Sequence, residues 1–461
     1  MNKKKLGAGV LSGVVVAGLL AGCGGAGTGS GTDQKGAEGG AAAGGTTELR
    51  FYTFGTESAY NWKKTIAAYE EKNPGIKVNL IGLSEKGDTQ EALKKLDLAA
   101  ASGEAMDVLM FSDPASYAQR VSLGMVAPMD DYIAKDGYKE NEEYRVDTKI
   151  NGKYYALPGK YNPWYVLLNK DMLDAAGLKV PTDWTWDEFM DYAKKLTKGD
   201  GANKVYGTYF HGPQNGGWLD YVKLAMSNQP DNTEFIKADG SSNMDSPLFK
   251  KSLELRVKME KDDKSAVPYA DMLSQKLNYR TQFFNQKAAM IVTGSWMNSE
   301  LGGTDQVPLN FNVSVAPVPK NNAADPGGYA TVATEYISIA ANSKHKDEAY
   351  KFIRWLTTDG AIVQGKNTPS WSKVKPEEFA KITDTILSGT KNPEKVDKEA
   401  LNRVLSNSKA SAIVPPVSYQ AEVYKAVNEE FEKLILGKQD IDATVKASQD
   451  RVNQIIAANK K

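Results

Sequence analysis

Few residues of this 461-residue chain have the chemistry and spacing that catalysis needs. The chain contains one Cys, Cys23, and only two His, His211 and His345. A single Cys cannot form an intramolecular disulfide or a thiolate cluster, and two His argue against a multi-histidine metal site. The GxSxG, HExxH and GxxxxGK[ST] motifs are missing from the sequence. We therefore predict no catalytic residue, no metal ligand and no cofactor, and a protein that is not an enzyme.

The chain does place aromatic rings in loops, where they can contact a small molecule. Tyr161 and Trp164 flank a Pro, whereas Trp218, Tyr329 and Trp371 each follow small, flexible residues. Aromatic side chains give a large contact area at a low entropic cost. Paired carboxylates could instead serve a glycosidase, but a chain with 57 Asp and Glu offers too many pairs for such a pair to be informative.

Alternating strands and helices position these residues. Apolar runs at residues 49–54, 76–81 and 108–111 predict strands, with helical periodicity in the two intervening segments. A second unit of the same kind starts near Tyr155, with strands predicted at 165–168 and 289–292. Such strand–helix–strand repetition predicts parallel sheets that are covered on both faces.

Local signals mark the beginnings of two helices. Asp113 followed by Pro114 is typical of an N-cap and the first helical position. Thr185 and Glu188 have the spacing of a capping box, with Trp184 and Phe189 placed as a hydrophobic staple. Trp184 is therefore predicted to be structural.

Further candidate ligand-binding residues follow the carboxyl ends of predicted strands. In an open α/β sheet, ligands bind in the crevice beyond these ends. Glu57 follows the first predicted strand, Asp113 the third, and Trp296 the strand at 289–292. Each has a structural alternative. Asp113 could only cap its helix, Glu57 could only favour a helix N-terminus, and Trp296 could belong to the core.

The N-terminus has the pattern of an exported lipoprotein. Three Lys precede a short apolar stretch that ends in Leu20-Ala21-Gly22-Cys23, which resembles the bacterial lipobox, whose Cys is diacylated. We predict a lipoprotein signal peptide at residues 1–22. Residues 23–46 then form the lipidated Cys and a flexible tether rich in Gly and Ala. Lys plus Arg equals Asp plus Glu, at 57 each, so no basic excess indicates a nucleic-acid partner.

Four segments resemble one known family. They are YNPWYVLLNKD at residues 161–171, PTDWTWDEF at 181–189, AMIVTGSW at 289–296, and the strand–helix pair ISI to FIRWL between 337 and 356. Together they resemble the extracellular solute-binding proteins of family 1, the sugar-binding subunits of ABC importers. The likeness covers most of residues 48–461.

The resemblance implies an α/β fold of the two-lobed, type II periplasmic-binding-protein kind, with discontinuous lobes joined by a hinge. It places the crossings near residues 157, 315 and 366. The N-terminal lobe would then comprise residues 47–157 and 315–366, and the C-terminal lobe 158–314 and 367–461. The ligand would lie between the lobes and be enclosed by a hinge motion.

The resemblance also implies a carbohydrate ligand, and the many aromatic candidates favour an oligosaccharide. Carboxylates accept strong hydrogen bonds from sugar hydroxyls, and rings cover the apolar face of a pyranose. An anionic ligand is disfavoured unless Lys160 or Arg280 faces the site. The predicted ligand-binding residues are Glu57, Asp113, Tyr161, Trp164, Trp218, Trp296, Tyr329 and Trp371.

The implied partners are the transmembrane subunits of an ABC permease and the membrane, which the lipid on Cys23 would reach from the extracytoplasmic face. The protein is expected to be a monomer. Two alternatives stay open at this point: a surface sugar-binding co-receptor or sensor partner, which would use the same cleft, and, more remotely, an enzyme that acts on glycosides.

Overall fold

The computed structural model describes residues 46–459 except 216, 412, 413 and 415. The predicted leader, Cys23 and nearly all of the predicted tether lie outside the described residues. The strands in this part of the chain are β1 (Thr47–Thr53), β2 (Ile76–Gly82), β3 (Val108–Phe111), β4 (Leu157–Pro158), β5 (Asn162–Asn169), β6 (Tyr206–Tyr209), β7 (Ala288–Gly294), β8 (Val313–Ala316), β9 (Tyr329–Ala330), β10 (Val332–Ala333), β11 (Tyr336–Ile339) and β12 (Lys409–Ala410).

The α-helices are α1 (Glu57–Tyr60), α2 (Trp62–Lys72), α3 (Thr89–Ala101), α4 (Pro114–Ser122), α5 (Asp130–Asp136), α6 (Glu140–Glu143), α7 (Lys170–Ala175), α8 (Trp186–Leu196), α9 (Pro247–Val257), α10 (Tyr269–Ser274), α11 (Tyr279–Phe284), α12 (Lys346–Leu356), α13 (Asp359–Gln364), α14 (Pro376–Ser388), α15 (Lys398–Asn407), α16 (Gln420–Ile435) and α17 (Ile441–Asn459). A π-helical turn, Lys258–Asp262, continues α9. Short 3₁₀ helices span Gly201–Asn203, Trp218–Tyr221, Ser295–Ser299 and Pro393–Lys395. Within the described ranges, no helix combines the length and the apolar character that crossing a membrane requires.

The first five-stranded sheet has the order β2-β1-β3-β11-β4. Successive residues of β1 point to opposite faces, as the strand period requires. Phe51 packs edge-on against Trp62 and Phe352, with ring centroids 5.2 and 5.7 Å apart. Its neighbour Tyr52 belongs to a separate apolar cluster on the other face, together with Leu96. The sheet is thus covered on both faces, as predicted, and we call it with its helices the first lobe.

The second sheet has the order β10-β5-β7-β6, and β8 pairs with β5. Its strands also bury both faces: Leu167 and Ile291 belong to one apolar cluster, and Val166 and Met290 to another. We call this sheet with its helices the second lobe. The short strands β9 and β12 pair separately.

The prediction of parallel sheets is right only in part. β1 runs parallel to β2 and β3, and β6 runs parallel to β7. β11 is antiparallel to β3 and β4, however, and β5 is antiparallel to β7, β8 and β10. β5 and β11 each follow a segment that joins the two sheets, and a strand reached in this way has no crossover helix to impose a parallel direction.

Both predicted helix starts are confirmed. The Asp113 side chain accepts the backbone N–H of Ser116 at 2.9 Å, with Pro in the first turn of α4. The Thr185 hydroxyl accepts from the backbone N–H of Glu188, and the Glu188 carboxylate accepts from the backbone N–H of Thr185. Trp184 packs against the first turn of α8 and is 3% exposed, so its predicted structural role is also confirmed.

A buried ion pair joins the segments that connect the two sheets. Lys160 follows β4 and pairs with Glu335, which precedes β11, and the hydroxyl of Tyr60 donates to the same carboxylate. The backbone N–H of Tyr161 donates to the carbonyl of Thr368 at 2.8 Å. Three connecting segments therefore lie side by side, tied together by backbone hydrogen bonds and a buried charge pair.

Glu140 gives a pH-dependent prediction of stability. Its carboxyl is buried, one oxygen has no hydrogen-bond partner among the described residues, and the other accepts weakly from Thr148 at 3.4 Å. Burial, with a smaller contribution from Asp147, raises its pKa from 4.5 to about 8. Because the pKa of Glu140 is raised in the folded state, protonation of this carboxyl favours the folded state. This contribution to the free energy of unfolding is fully present below the unfolded pKa and is lost as the pH rises through about 8.

Glu140→Gln removes this titration and is therefore expected to stabilise the protein at pH 7, by up to about 3 kcal/mol. The gain should vanish near pH 4.5. Urea unfolding of the parent protein and of Glu140→Gln at pH 7 and pH 4.5 measures this gain in the free energy of unfolding. An equal difference in the free energy of unfolding at both pH values would contradict the explanation by Glu140.

Candidate ligand-binding site

A cavity lies between the two lobes, with an empty volume of about 1030 Å³ that includes solvent at its mouth. The first lobe contributes residues at the end of β3 and at the start of β11. The second lobe contributes the side chains of β5, the 3₁₀ segments and α16. The acidic and aromatic side chains that line the cavity are Asp113, Trp164, His211, Asp220, Tyr221, Glu234, Trp296, Tyr336 and Tyr424.

Asp113 reaches this cavity while it caps α4. Besides the backbone of Ser116, its carboxylate accepts the Ser116 hydroxyl at 2.8 Å and the Ser112 hydroxyl at 3.1 Å. The side chain is 7% exposed. Capping and cavity lining are therefore compatible, because the same carboxylate does both.

Two Trp rings form one wall. Trp164 of β5 is 5% exposed, and Trp296 follows the end of β7. The rings meet edge to face with centroids 5.9 Å apart, and Trp164 also packs on Tyr221 at 4.7 Å. The Trp164 indole N–H has no hydrogen-bond partner within the described chain.

His211 lies between two Tyr rings at the same wall. It stacks on Tyr221 at 4.3 Å and on Tyr279 at 4.0 Å. Burial lowers the pKa of His211 well below its ordinary value, and the charge of Arg280 lowers it further. The imidazole is therefore neutral at physiological pH, and its buried Nε2 atom has no hydrogen-bond partner among the described residues.

Two carboxylates that the sequence analysis did not predict, Asp220 and Glu234, also line the cavity. Lys223 is 1% exposed and bridges Asp220 at 2.9 Å and Glu234 at 2.6 Å. Burial lowers the pKa of Lys223, but the two carboxylates outweigh it and hold that pKa above its usual value. Burial raises the pKa of Glu234, an effect that Lys223 opposes. One Glu234 oxygen is left without a partner in the described structure.

The charges of Asp113, Asp220 and Glu234 affect the same two tyrosines of the cavity lining. Burial raises the pKa of both Tyr336 and Tyr424, and each of the three carboxylates raises it further. Because Asp113 belongs to the first lobe and Asp220 and Glu234 belong to the second, negative charges line one cavity from both lobes.

Two of the predicted aromatic residues lie elsewhere. Trp218 is 8% exposed and packs against Tyr269 and Phe431, with ring centroids 6.0 and 5.8 Å away, inside the core of the second lobe. The Trp371 indole N–H donates to the Glu143 carboxylate at 2.9 Å. Neither lines the cavity between the lobes.

Three further predicted residues also lie outside the cavity lining. Glu57 is exposed at the first position of α1. The ring of Tyr161 lies 5.4 Å from the guanidinium of Arg145, and that of Tyr329 lies 5.4 Å from the ammonium of Lys409. The structure thus brings three of the eight predicted residues together in one cavity: Asp113, Trp164 and Trp296.

The comparisons with known proteins agree with this architecture. The profile of bacterial extracellular solute-binding proteins matches residues 55–363. The match spans more than half of the sequence, and the chain belongs to this family. The resemblance inferred from the four sequence segments is confirmed.

One relative and two solved structures illustrate the similarity. The multiple sugar-binding protein of Streptococcus mutans is 26% identical over 317 residues, which cover 65% of this chain and 68% of that protein. An ABC substrate-binding protein of Listeria monocytogenes, solved with cycloalternan, is 24% identical with a TM-score of 0.69, covering 89% of this chain and 99% of that one. Maltose-bound MalE3 of T. maritima is 18% identical with a TM-score of 0.67, covering 89% and 100%. The predicted two-lobed fold is thereby confirmed.

Proposed function

We propose that this protein is the extracytoplasmic substrate-binding component of an ABC importer and that it captures a carbohydrate, with an oligosaccharide favoured. One observation carries the proposal: the cavity between the lobes combines two Trp rings with carboxylates from both sides. The sugar-binding name of the Streptococcus mutans relative supports it.

The arrangement suits a pyranose. The rings of Trp164 and Trp296 offer an apolar surface, and carboxylates make strong hydrogen bonds with hydroxyl groups. The buried Nε1 of Trp164 and Nε2 of His211 have no hydrogen-bond partner in the described structure. Buried polar atoms are nearly always hydrogen-bonded, and a ligand hydroxyl or a water molecule would satisfy them.

We assign the ligand contacts to six residues of this cavity. Asp113, Trp164 and Trp296 come from the sequence prediction, and the structure supports adding His211, Asp220 and Glu234. Glu57, Tyr161, Trp218, Tyr329 and Trp371 stay predictions, and their positions outside the cavity lining make them weaker candidates.

The strand pairings support a revised boundary between the lobes. β8 and β10 pair with β5 of the second lobe, and β11 pairs in the first. We propose that the middle crossing falls at residues 334–335 rather than near 315, with the others near 158–160 and 366–368. Closure would bend the chain at these three segments.

Thermal melting of the protein against a panel of oligosaccharides, monosaccharides, polyols and uronates tests the function. A ligand that binds only the folded state stabilises it by about 2.7 kcal/mol at one hundred times Kd. A shift with one sugar class and no product after long incubation would support a binding protein without catalytic activity. Melting that no carbohydrate shifts would contradict the proposal, and turnover of a sugar would make the protein an enzyme.

We further propose that the lipid on Cys23 holds a monomeric protein at the extracytoplasmic face of the membrane, next to the permease. The lipobox-like sequence before Cys23 supports this. Cys23→Ala should move the protein from the membrane fraction to the soluble fraction in fractionated cells. Membrane association that persists in this variant would contradict the lipid anchor.

A further inference from the structure

The charge of the cavity narrows the class of ligand. Among its described lining residues, the charged side chains are Asp113, Asp220 and Glu234, all of them acidic. They approach from both lobes, and they act together on the two lining phenols Tyr336 and Tyr424. An occupant of this cavity therefore meets carboxylates from both lobes.

The neighbouring cations do not balance these charges. Lys223 neutralises one of the three carboxylates, and its side chain is engaged with both Asp220 and Glu234. Arg280 forms a two-point pair with Glu300, with its Nε atom 2.7 and 3.0 Å from the two oxygens. Lys160 is likewise paired with a carboxylate outside the cavity lining. The cavity keeps an excess of about two negative charges.

A second observation is that buried polar atoms of the cavity wall have no hydrogen-bond partner among the described residues. His211 is 4% exposed and lines the cavity, and its Nε2 atom has no hydrogen-bond partner among the described residues. One Glu234 oxygen is also without a partner there. An ammonium group has three N–H donors and no acceptor, so it needs several acceptors at once. The cavity supplies such acceptors, and its aromatic walls add favourable cation–π contacts.

We propose that the ligand is an aminated carbohydrate, a sugar whose protonated amine is held by the carboxylates of Asp220, Glu234 and Asp113. This inference rests on the proposed function, since it names the class of sugar bound in the same cavity. The ammonium replaces its hydration shell with charge-assisted hydrogen bonds, while the pyranose ring lies against Trp164 and Trp296. A neutral sugar would leave the excess negative charge uncompensated.

Calorimetric titration with matched sugars tests the inference. The probes are oligomers of glucosamine and galactosamine, the same oligomers N-acetylated, and the corresponding neutral hexose oligomers. N-acetylation removes the positive charge and keeps the ring. The aminated series is expected to bind at least about tenfold more tightly than both neutral series, with an affinity that falls as salt rises. Equal or tighter binding of a neutral series would overturn the inference and leave carbohydrate binding standing. Binding of none of the sugars would overturn both.

Variants that remove one negative charge test which carboxylates cause the preference for the aminated sugar. Asp113→Asn keeps a good helix cap, since Asn and Asp are equivalent there, and removes one charge from the cavity. It should weaken binding of the aminated sugar several-fold more than it weakens binding of the N-acetylated one. Glu234→Gln should do the same more strongly, with melting measured alongside because Glu234 pairs with Lys223. Glu71→Gln, an exposed residue of α2, is the matched control. The same loss for both sugars, or in the control, would overturn the assignment.

Discussion

Replacing Lys223 with methionine is expected to destabilise the folded protein by about 3–5 kcal/mol. The ammonium is 1% exposed and lies 2.9 Å from Asp220 and 2.6 Å from Glu234. Methionine fills a similar volume but leaves two carboxylates together without their cation. Their repulsion and poor solvation are then no longer offset, and this is the usual reason that breaking a buried pair costs more than the pair itself contributes.

Urea unfolding measures this loss, and Lys250→Met is a matched control. Lys250 pairs with Asp442 at the surface at 2.7 Å, and both side chains are largely solvated, so its loss should cost no more than about 1 kcal/mol. Adding Glu234→Gln to Lys223→Met should restore part of the stability, because one uncompensated charge disappears. If Lys223→Met loses as little stability as the control, then Asp220 and Glu234 are solvated and do not depend on the lysine.

The same variant should respond to pH in a defined direction. Burial already raises the pKa of Glu234, and Lys223 opposes that effect. Without the lysine the folded-state pKa rises further, so the folded variant is favoured at low pH and loses stability as the pH rises through that pKa. The difference between Lys223→Met and the parent protein should therefore be smaller at pH 4.5 than at pH 8.

Sequence reasoning succeeded where the signal is local. Asp113 follows a short apolar run and precedes a Pro, and those few residues determine both the end of β3 and the helix cap. Trp296 comes two residues after the last residue of β7, so its place beyond the carboxyl end of this strand follows from the strand alone. Strand direction was not predictable in the same way, since β5 and β11 enter their sheets from connecting segments.

The sequence analysis did not predict Asp220, Lys223 and Glu234, because long-range contacts that no local pattern encodes bring them together. Asp220 and Lys223 lie in a segment of short turns, and Glu234 comes eleven residues after Lys223 without helical or strand periodicity. The spacing of Asp220 and Lys223 fits an i,i+3 pair, but such pairs are common on solvated surfaces. Asp220 lines the cavity and Lys223 is buried beside it, and long-range packing rather than spacing determines both.

The position of Trp218 shows what local composition does not determine. Its small, flexible neighbours made it a loop candidate, yet its ring packs into the core against Tyr269 and Phe431. Gly217 adopts a positive φ of 70°, which lets the chain turn and direct the next residue inward. Composition identifies such a turn but not the side to which the ring points.

The second large expected effect concerns Gly294, the last residue of β7. A Cβ atom built at this position would lie 2.0 Å from the Trp296 ring, far inside van der Waals contact. Gly294→Ala should therefore push the Trp296 ring away from the wall that it shares with Trp164. We expect sugar binding to weaken by about 2–4 kcal/mol, the scale of a lost aromatic anchor. Overpacking should also lower stability by about 1–3 kcal/mol, leaving the protein folded.

Titration of the bound sugar and thermal melting separate these two effects, and Gly82→Ala is the matched control. Gly82 likewise ends a strand, β2, but a Cβ there would meet no heavy atom within 4 Å, so binding should be unchanged. If Gly294 acts through the ring, adding Gly294→Ala to Trp296→Ala should weaken binding no further, because the two changes remove the same contact. Additive losses would mean that Gly294 supports the site through the backbone of β7 instead, and unaltered binding in Gly294→Ala would exclude the Trp296 ring from the ligand-binding surface.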